Sequence, residues 1–521
     1  MGRKISKVIF LTWVLLASFL PEYYCQNCQS QECLNLLDLR VKKQQDRQDN
    51  LLKLKQEYPI SEKSVQITDL PLDQLKAKLQ TRELKARDVL SAYLANAINA
   101  TTAFNCITEF SPAAITLADK LDASPVVKGP LHGIPFCVSD NHNIKGMVST
   151  LGYSKNLYQP AKDTAAYIKA LEDLGAVPFW AVKFATGTDM GGCVRISAHF
   201  NGISGIKPTE GRLSLKGVVS PIPKVVGLQP TTGFLADDPK TIAFVMQSLL
   251  ENNVQSSHDT SSVLPIPWNS SLLESNKPLR IGYVNSYPIF PALGQTEATL
   301  LKAKEALELR GHNLTAIEMI DSYESFDVFT DLLLADNGES IKQQLRNDEV
   351  SNAFEAFRFV LRLPHLAKRI ISFLPVPDRT KMVLTPGTAA RISNRLWDKV
   401  KTKRELREDI LNFMDRHSID VIISPAFPFP APKVETAPYL LLGYSYTSIW
   451  NLVEFPAGVV KFGLENGTDV TDYNDEGDPV LRVAKHNYPA STGMPIGVQV
   501  IGRPFQDELV LRIMSELYSS K

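Results

Sequence analysis

Short apolar runs alternate with helical repeats closed by glycine through the middle and end of this chain, and that rhythm constrains its fold more than any other feature. Asp163 is placed to cap a helix whose Ile168, Leu171 and Leu174 share one face, with Gly175 to end it. Ala176 to Val182 follows as a buried strand. Leu279 to Val284 reads as another strand, Thr296 to Arg310 as a helix closed by Gly311, and Val421 to Ser424 as a strand again. Ile496 to Ile501 is a strand that feeds a helix from Asp507 to Tyr518. Such alternation predicts an α/β fold, with a largely parallel sheet covered by helices on both faces. At 521 residues and 44% hydrophobic the chain can bury a large core, and no internal repeat divides it.

The N-terminal part is organised differently. Arg3, Lys4 and Lys7 precede an apolar run from Val8 to Leu20 that is too short for an ordinary membrane span of about twenty residues. Residues 1–25 therefore read as a secretory signal peptide or, in the absence of a tidy cleavage site, as an uncleaved signal anchor. Met1 to Ser6 also matches the loose myristoylation pattern. The expected location is the secretory pathway or an endomembrane surface, with secretion as the alternative. Residues 26–65 are expected to be a polar linker, helical over Leu34 to Tyr58. Pro71 opens a helix with Leu72, Leu75 and Leu79 on one face, and Val89, Leu90, Tyr93, Leu94, Ala97 and Ile98 recur at helical spacing as core positions.

Sequons begin at Asn99, Asn269, Asn313 and Asn466, and they permit a lumenal location without requiring one. Cys25, Cys28 and Cys33 cluster after the apolar run, whereas Cys106, Cys137 and Cys193 stand apart. No second cysteine pair or histidine pair at zinc spacing accompanies Cys25 and Cys28, so no metal site is expected. Lysine plus arginine balances aspartate plus glutamate at 56 each, which removes the electrostatic case for nucleic-acid binding. Leu361 to Leu374 mixes bases with apolar residues. Lys368, Arg369, Ile370, Ile371, Phe373 and Leu374 describe a helix suited to a membrane surface, though an ordinary amphipathic helix has the same pattern.

Two glycine-rich stretches carry the chemistry. One runs from Gly129 through His132-Gly133-Ile134-Pro135 to Ser139-Asp140, and the other from Gly187 through Met190-Gly191-Gly192-Cys193 to Ile196. Each is a tight turn beside buried strand. A run like the second, before a nucleophile-type side chain, can also present the backbone N–H groups of Met190, Gly191, Gly192 and Cys193 to one point, as an oxyanion hole requires, though a structural turn has the same pattern.

The order Gly129-Pro130-Leu131-His132-Gly133-Ile134-Pro135, then Gly187-Thr188-Asp189 with Gly191-Gly192 and Arg195, then Gly202 to Thr209 with Gly211-Arg212, resembles the amidase signature family. Ser445-Tyr446-Thr447, Glu454 to Val460 and Gly493 to Gln499 are similar to its vertebrate-type fatty-acid amide hydrolase branch. The likeness spans roughly residues 66 to 520. It implies a single α/β domain built on a twisted mixed sheet wrapped by helices, and an acyl-amide or related lipid as ligand. It also implies a membrane-touching cap at Leu361 to Leu374, a homodimer, and no cofactor.

By the same resemblance, members cleave amides through a nucleophilic serine, a bridging serine and a lysine that accepts the proton. A hydroxyl is inert without a base, and a lysine is a base only when burial lowers its pKa from about 10.4. Where the resemblance places the lysine this chain has Ser139, and where it places the nucleophile it has Cys193. The loop that should hold the bridging serine belongs between Lys183 and Gly187, and only Phe184, Ala185 and Thr186 stand there. An omitted exon would explain that gap, but not Ser139 or Cys193, which lie outside it. Lys145, in a separate Lys-Gly pair, reads as a surface residue. His142 and His199 are the nearest stand-in bases for Cys193, and Arg195 reads as structural. The leading expectation is a member that has lost cleavage and keeps lipid binding. The alternatives are a hydrolase working through Cys193 and a non-catalytic partner of an active paralogue.

Overall fold

The computed structural model describes residues 31–179, 183–222, 225–251, 253–318, 321–348, 352–386 and 393–520. The N-terminal basic and apolar stretch, Cys25, Cys28 and the end of the strand expected to reach Val182 lie outside the described residues.

Ten strands form one sheet: β1 (Pro135–Val138), β2 (Val177–Phe179), β3 (Phe184–Asp189), β4 (Ser204–Lys207), β5 (Thr231–Ala236), β6 (Arg280–Tyr283), β7 (Asn313–Ala316), β8 (Val421–Pro425), β9 (Ala457–Leu464) and β10 (Pro495–Gly502). Their order is β2-β1-β3-β5-β4-β9-β10-β8-β6-β7. Both flanks are parallel, but every pairing from β3 across to β8 is antiparallel. The sheet is thus mixed, not largely parallel. Apolar alternation marks where strands fall but carries no record of their direction, and β5 inserts antiparallel between β3 and β4.

Helices surround the sheet: α1 (Gln31–Glu57), α2 (Ala86–Phe104), α3 (Ala166–Asp173), α4 (Cys193–Asn201), α5 (Pro239–Glu251), α6 (Gln295–Leu309), α7 (Asn352–Arg362), α8 (His365–Phe373), α9 (Ser445–Leu452) and α10 (Asp507–Tyr518) are among them. Gly205 of β4 faces Val194 and Ala198 of α4, while Gly458 of β9, one step out of register with it, faces Met514 of α10. Successive strand residues point to opposite faces, so α4 and α10 sandwich the centre of the sheet. Phe136 of β1 stacks on Phe184 of β3 with centroids 5.3 Å apart, and Phe184 meets Phe234 of β5 edge-on at 6.3 Å. The apolar positions read in α2, from Val89 to Ile98, are all buried. α1 is docked on the body: Leu51 is buried, and the Arg47 guanidinium donates twice to the Ile107 carbonyl, at 2.9 and 2.7 Å.

The link between β2 and β3 is unusual. Both strands run parallel to β1 and lie on opposite sides of it, with Phe179 beside Cys137 and Phe184 beside Phe136. Parallel strands normally need a crossover of about a dozen residues or more. Here β2 ends at Phe179 and β3 begins at Phe184, so only four residues of sequence separate them.

Leu361 to Leu374 is not one helix. Pro364 cannot continue α7 and instead stands as the N-terminal cap of α8. Leu366, Ile370, Phe373 and Leu374 form an exposed apolar stripe, with Leu366 69%, Ile370 54% and Phe373 78% exposed. Ile371 is half-buried and Arg369 exposed. Lys368 departs from the expected basic face. At about 100° per residue it lies opposite the stripe, buried, with Nζ 3.4 Å from the Pro386 carbonyl.

Candidate active site

β1 and β3 run side by side and in the same direction, Val138 paired with Thr186. Ser139 therefore leaves the same edge of the sheet as the Met190–Cys193 turn that follows β3. The Asn141 amide donates to Thr188 Oγ1 at 2.7 Å and ties the two exits together. Ser139 is half-buried.

Cys193 is the first residue of α4, and Gly192 before it is its N-cap at φ +132°. A side chain at Gly192 would be strained there and would run into Thr447 Oγ1 and Ile196. Thr447 Oγ1 donates to the Gly191 carbonyl at 2.7 Å and fixes the turn from α9.

Beneath the turn lies a buried charge cluster. Asp189 and Arg195 are both fully buried and pair at 2.9 Å. Arg195 Nε reaches the second carboxylate oxygen at 3.0 Å, making the pair bidentate. Its remaining donors go to the Thr447 carbonyl, Gln499 Oε1 and Asn451 Oδ1, so the guanidinium has no free N–H for a ligand. Arg195 is a strut, as its motif position suggested.

The expected oxyanion donors divide. The N–H groups of Met190 and Gly191 are aimed at the Cys193 sulfur. That of Gly192 is taken by Asp189 Oδ1 at 2.7 Å and is not available to an oxyanion. Cys193 is reachable from solvent. Even so, the protein crowded around its sulfur, and then the Asp189 carboxylate, raise the thiol pKa above its ordinary value; Arg195 and the turn's N–H groups oppose the rise and lose.

Neither stand-in histidine is placed as a base for this thiol. His199 is buried with both ring nitrogens occupied: Nε2 lies 3.0 Å from the Phe429 carbonyl, and the Gly497 N–H donates to Nδ1 at 2.8 Å. His142 Nδ1 faces the Ser139 carbonyl at 3.3 Å, and Nε2 is buried without a partner among the described residues. Burial holds the pKa of each down at about 4. Lys145 is exposed, as expected of a surface lysine.

Two residues that the sequence did not single out belong to this neighbourhood. Tyr444 is pushed up to about 12 by burial and by Cys193 and Asp189, so its phenol keeps its proton at neutral pH. Lys207, at the end of β4, is buried and donates to the Pro208 carbonyl at 3.1 Å. Burial, assisted by Arg195, lowers it to about 8. The lysine in Lys207-Pro208-Thr209 is a motif position, but only tertiary packing shows that it is dry.

The raised thiol leads to a direct prediction. Iodoacetamide modification of Cys193 should be slow at pH 7 and climb steadily to pH 9.5, because the thiolate is the reactive form and its share grows with pH. Peptide mass spectrometry at several pH values reads this out, and a fast, pH-independent rate would show an activated thiol.

The family model described as Amidase matches residues 88–181 and 180–511 of this chain. Its two segments meet at the β2–β3 link. "Fatty acid amide hydrolase 1" of Caenorhabditis elegans is 26% identical over 505 residues, covering 87% of this chain and 88% of that protein. "Fatty-acid amide hydrolase 1" of Sus scrofa is 28% identical over 506 residues, covering 86% and 85%. Among solved structures, "Fatty acid amide hydrolase" superposes with a TM-score of 0.76 at 20% identity, covering 96% of this chain and 92% of that one. A 6-aminohexanoate cyclic dimer hydrolase in complex with substrate gives 0.63 at 16% identity, covering 86% and 96%.

Proposed function

The chain belongs to the amidase family, and from that premise we propose that it is a fatty-acid amide hydrolase-like member that binds acyl amides and has lost the ability to cleave them. The setting of Cys193 carries this reading. Its thiol is held protonated, and Ser139 stands where the family resemblance calls for a lysine. Attack on an amide needs a base to take the nucleophile's proton and an acid to protonate the departing amine. His199 is committed to backbone partners, His142 is weakly basic, Tyr444 is a donor, and the Lys207 amine, though lowered to about 8, is buried and spent on the Pro208 carbonyl.

The acyl-amide class comes from the relatives' names, and equilibrium dialysis tests it. A radiolabelled long-chain primary fatty-acid amide should bind the full chain saturably and be recovered intact. Recovery as free fatty acid, abolished by Cys193→Ala, would favour a thiol hydrolase. No saturable binding would leave the lipid reading without support.

The exposed stripe on α8 supports membrane association as part of the same proposal. Among the described residues no helix is long and apolar enough to cross a membrane. Leu366, Ile370, Phe373 and Leu374 suit shallow insertion at an interface instead. Replacing Ile370 and Phe373 together with serine should weaken vesicle binding about tenfold or more, since burying such a side chain contributes about 1.5–3 kcal/mol. Lys368→Gln should leave binding unchanged, because that amine faces inward. Flotation with anionic vesicles measures both. Cys33 is disulfide-bonded, which supports an oxidising, secretory-pathway location for the protein.

A further inference from the structure

A recess lined by none of the residues around Cys193 lies between α5, α10, the end of α6 and the segment around Leu273 to Asn276. Its volume is about 380 Å³, and Lys240, Phe244, Leu273, Arg310, Arg512 and Glu516 are among the residues that line it. That size suits a small organic molecule rather than a protein segment.

Its charges are arranged unequally. Arg512 is 4% exposed. Its Nε donates to Glu516 Oε1 at 2.8 Å and one Nη to the Lys277 carbonyl at 2.7 Å. The other Nη has no partner among the described residues and belongs to a side chain that lines the recess. Glu516 is the only acid on the wall among the described residues, and its second oxygen faces His312 Nε2 at 2.6 Å. Both of its oxygens are occupied, and Arg512 balances its charge.

Among the described residues Arg310 spends only Nε, on Ser520 at 2.8 Å. Lys240 adds a further positive charge. The Ser275 hydroxyl accepts from the Lys277 N–H at 3.2 Å, which leaves its own proton to donate. Asp238, at the entrance to α5, turns its carboxylate back onto Thr241 at 2.9 and 2.8 Å. Donors from α5, α10, the end of α6 and the segment around Ser275 therefore remain unspent around one space among the described residues. Beside them, Phe244 and Leu273 give that space an apolar wall, and the Lys76 ammonium lies 4.2 Å over the Phe244 ring from outside.

We infer that this recess binds a small organic anion, a carboxylate or phosphate monoester carrying a short aromatic or apolar group. The oxyanion sits among Arg310, Arg512, Lys240 and Ser275, where guanidinium groups match its geometry. The apolar part lies on Phe244 and Leu273. Nothing in this assignment depends on the chemistry at Cys193.

Calorimetric titration of the full chain at low ionic strength with phenyl phosphate, benzoate and inorganic phosphate tests it. Phenyl phosphate or benzoate should saturate one site, at least tenfold more tightly than inorganic phosphate. A Lys240→Ala/Arg310→Ala double variant, altered only outside the core, should weaken that binding at least tenfold, and Phe244→Ala should erase the preference over inorganic phosphate. Saturation by benzoate alone would assign carboxylates, and by phenyl phosphate alone phosphate monoesters. No saturation by any probe, equal affinity for inorganic phosphate, or affinity unchanged in the double variant would each overturn the inference.

Discussion

Free fatty acid should be released from a long-chain primary amide at least about 10²–10⁴-fold more slowly by this protein than by relatives with an intact proton relay, the range typical for loss of a general base. Replacing Cys193 with alanine should not slow it further. An amide is a demanding substrate on both sides of the reaction. The attacking atom must shed a proton and the departing amine must gain one, and a thiol with a raised pKa flanked by a hydroxyl does neither. Ser139→Lys together with Cys193→Ser should recover less than tenfold, because strand β3 runs through Phe184, Ala185 and Thr186 where the resemblance calls for the loop with the bridging serine. Liquid-chromatography assay of released fatty acid decides the matter. Turnover at the relatives' rate, sensitive to Cys193→Ala, would overturn the proposed loss of cleavage.

Arg195→Ala should destabilise the fold by about 3–5 kcal/mol, the usual consequence of stranding one member of a buried ion pair. Asp189 would keep its negative charge in a fully buried site, and Thr447, Gln499 and Asn451 would each lose a charged donor. Urea unfolding measures the loss. Because the same carboxylate holds the Gly192 N–H, the turn that presents Met190 and Gly191 should loosen too, and Cys193 should then alkylate faster at fixed pH. Arg195→Lys should rescue little, since a single ammonium cannot replace a five-donor fork. A variant with wild-type stability would show that the cluster is not a strut.

Local signals carried the elements well where each one is closed by its own neighbours. The helix Asp507–Tyr518 falls where its apolar spacing placed it, and the strands at β6, β8 and β10 lie within a residue or two of their apolar runs. Motif order also located the Ser139 edge and the Cys193 turn. What escaped was whatever depends on residues distant in sequence. Strand direction at the centre of the sheet is set by which strand β5 finds beside it. Lys207 and Tyr444 look ordinary in sequence, and only burial among remote charges makes them part of the site. The charge of Lys368 suggests an outward face, yet the side chain is buried, and Pro364 splits a segment whose apolar spacing reads as one helix.

The place of β1 between two strands that follow one another in the chain also bears on how the molecule assembles. β1 is paired on one side with β2 and on the other with β3, and only four residues of sequence part those two, so none of the three strands takes its place without its neighbours. These three strands should therefore form and melt as a single cooperative unit. Amide hydrogens of Phe136, Phe179 and Ala185 would then exchange with deuterium through one shared opening event, instead of fraying one after another from the edge.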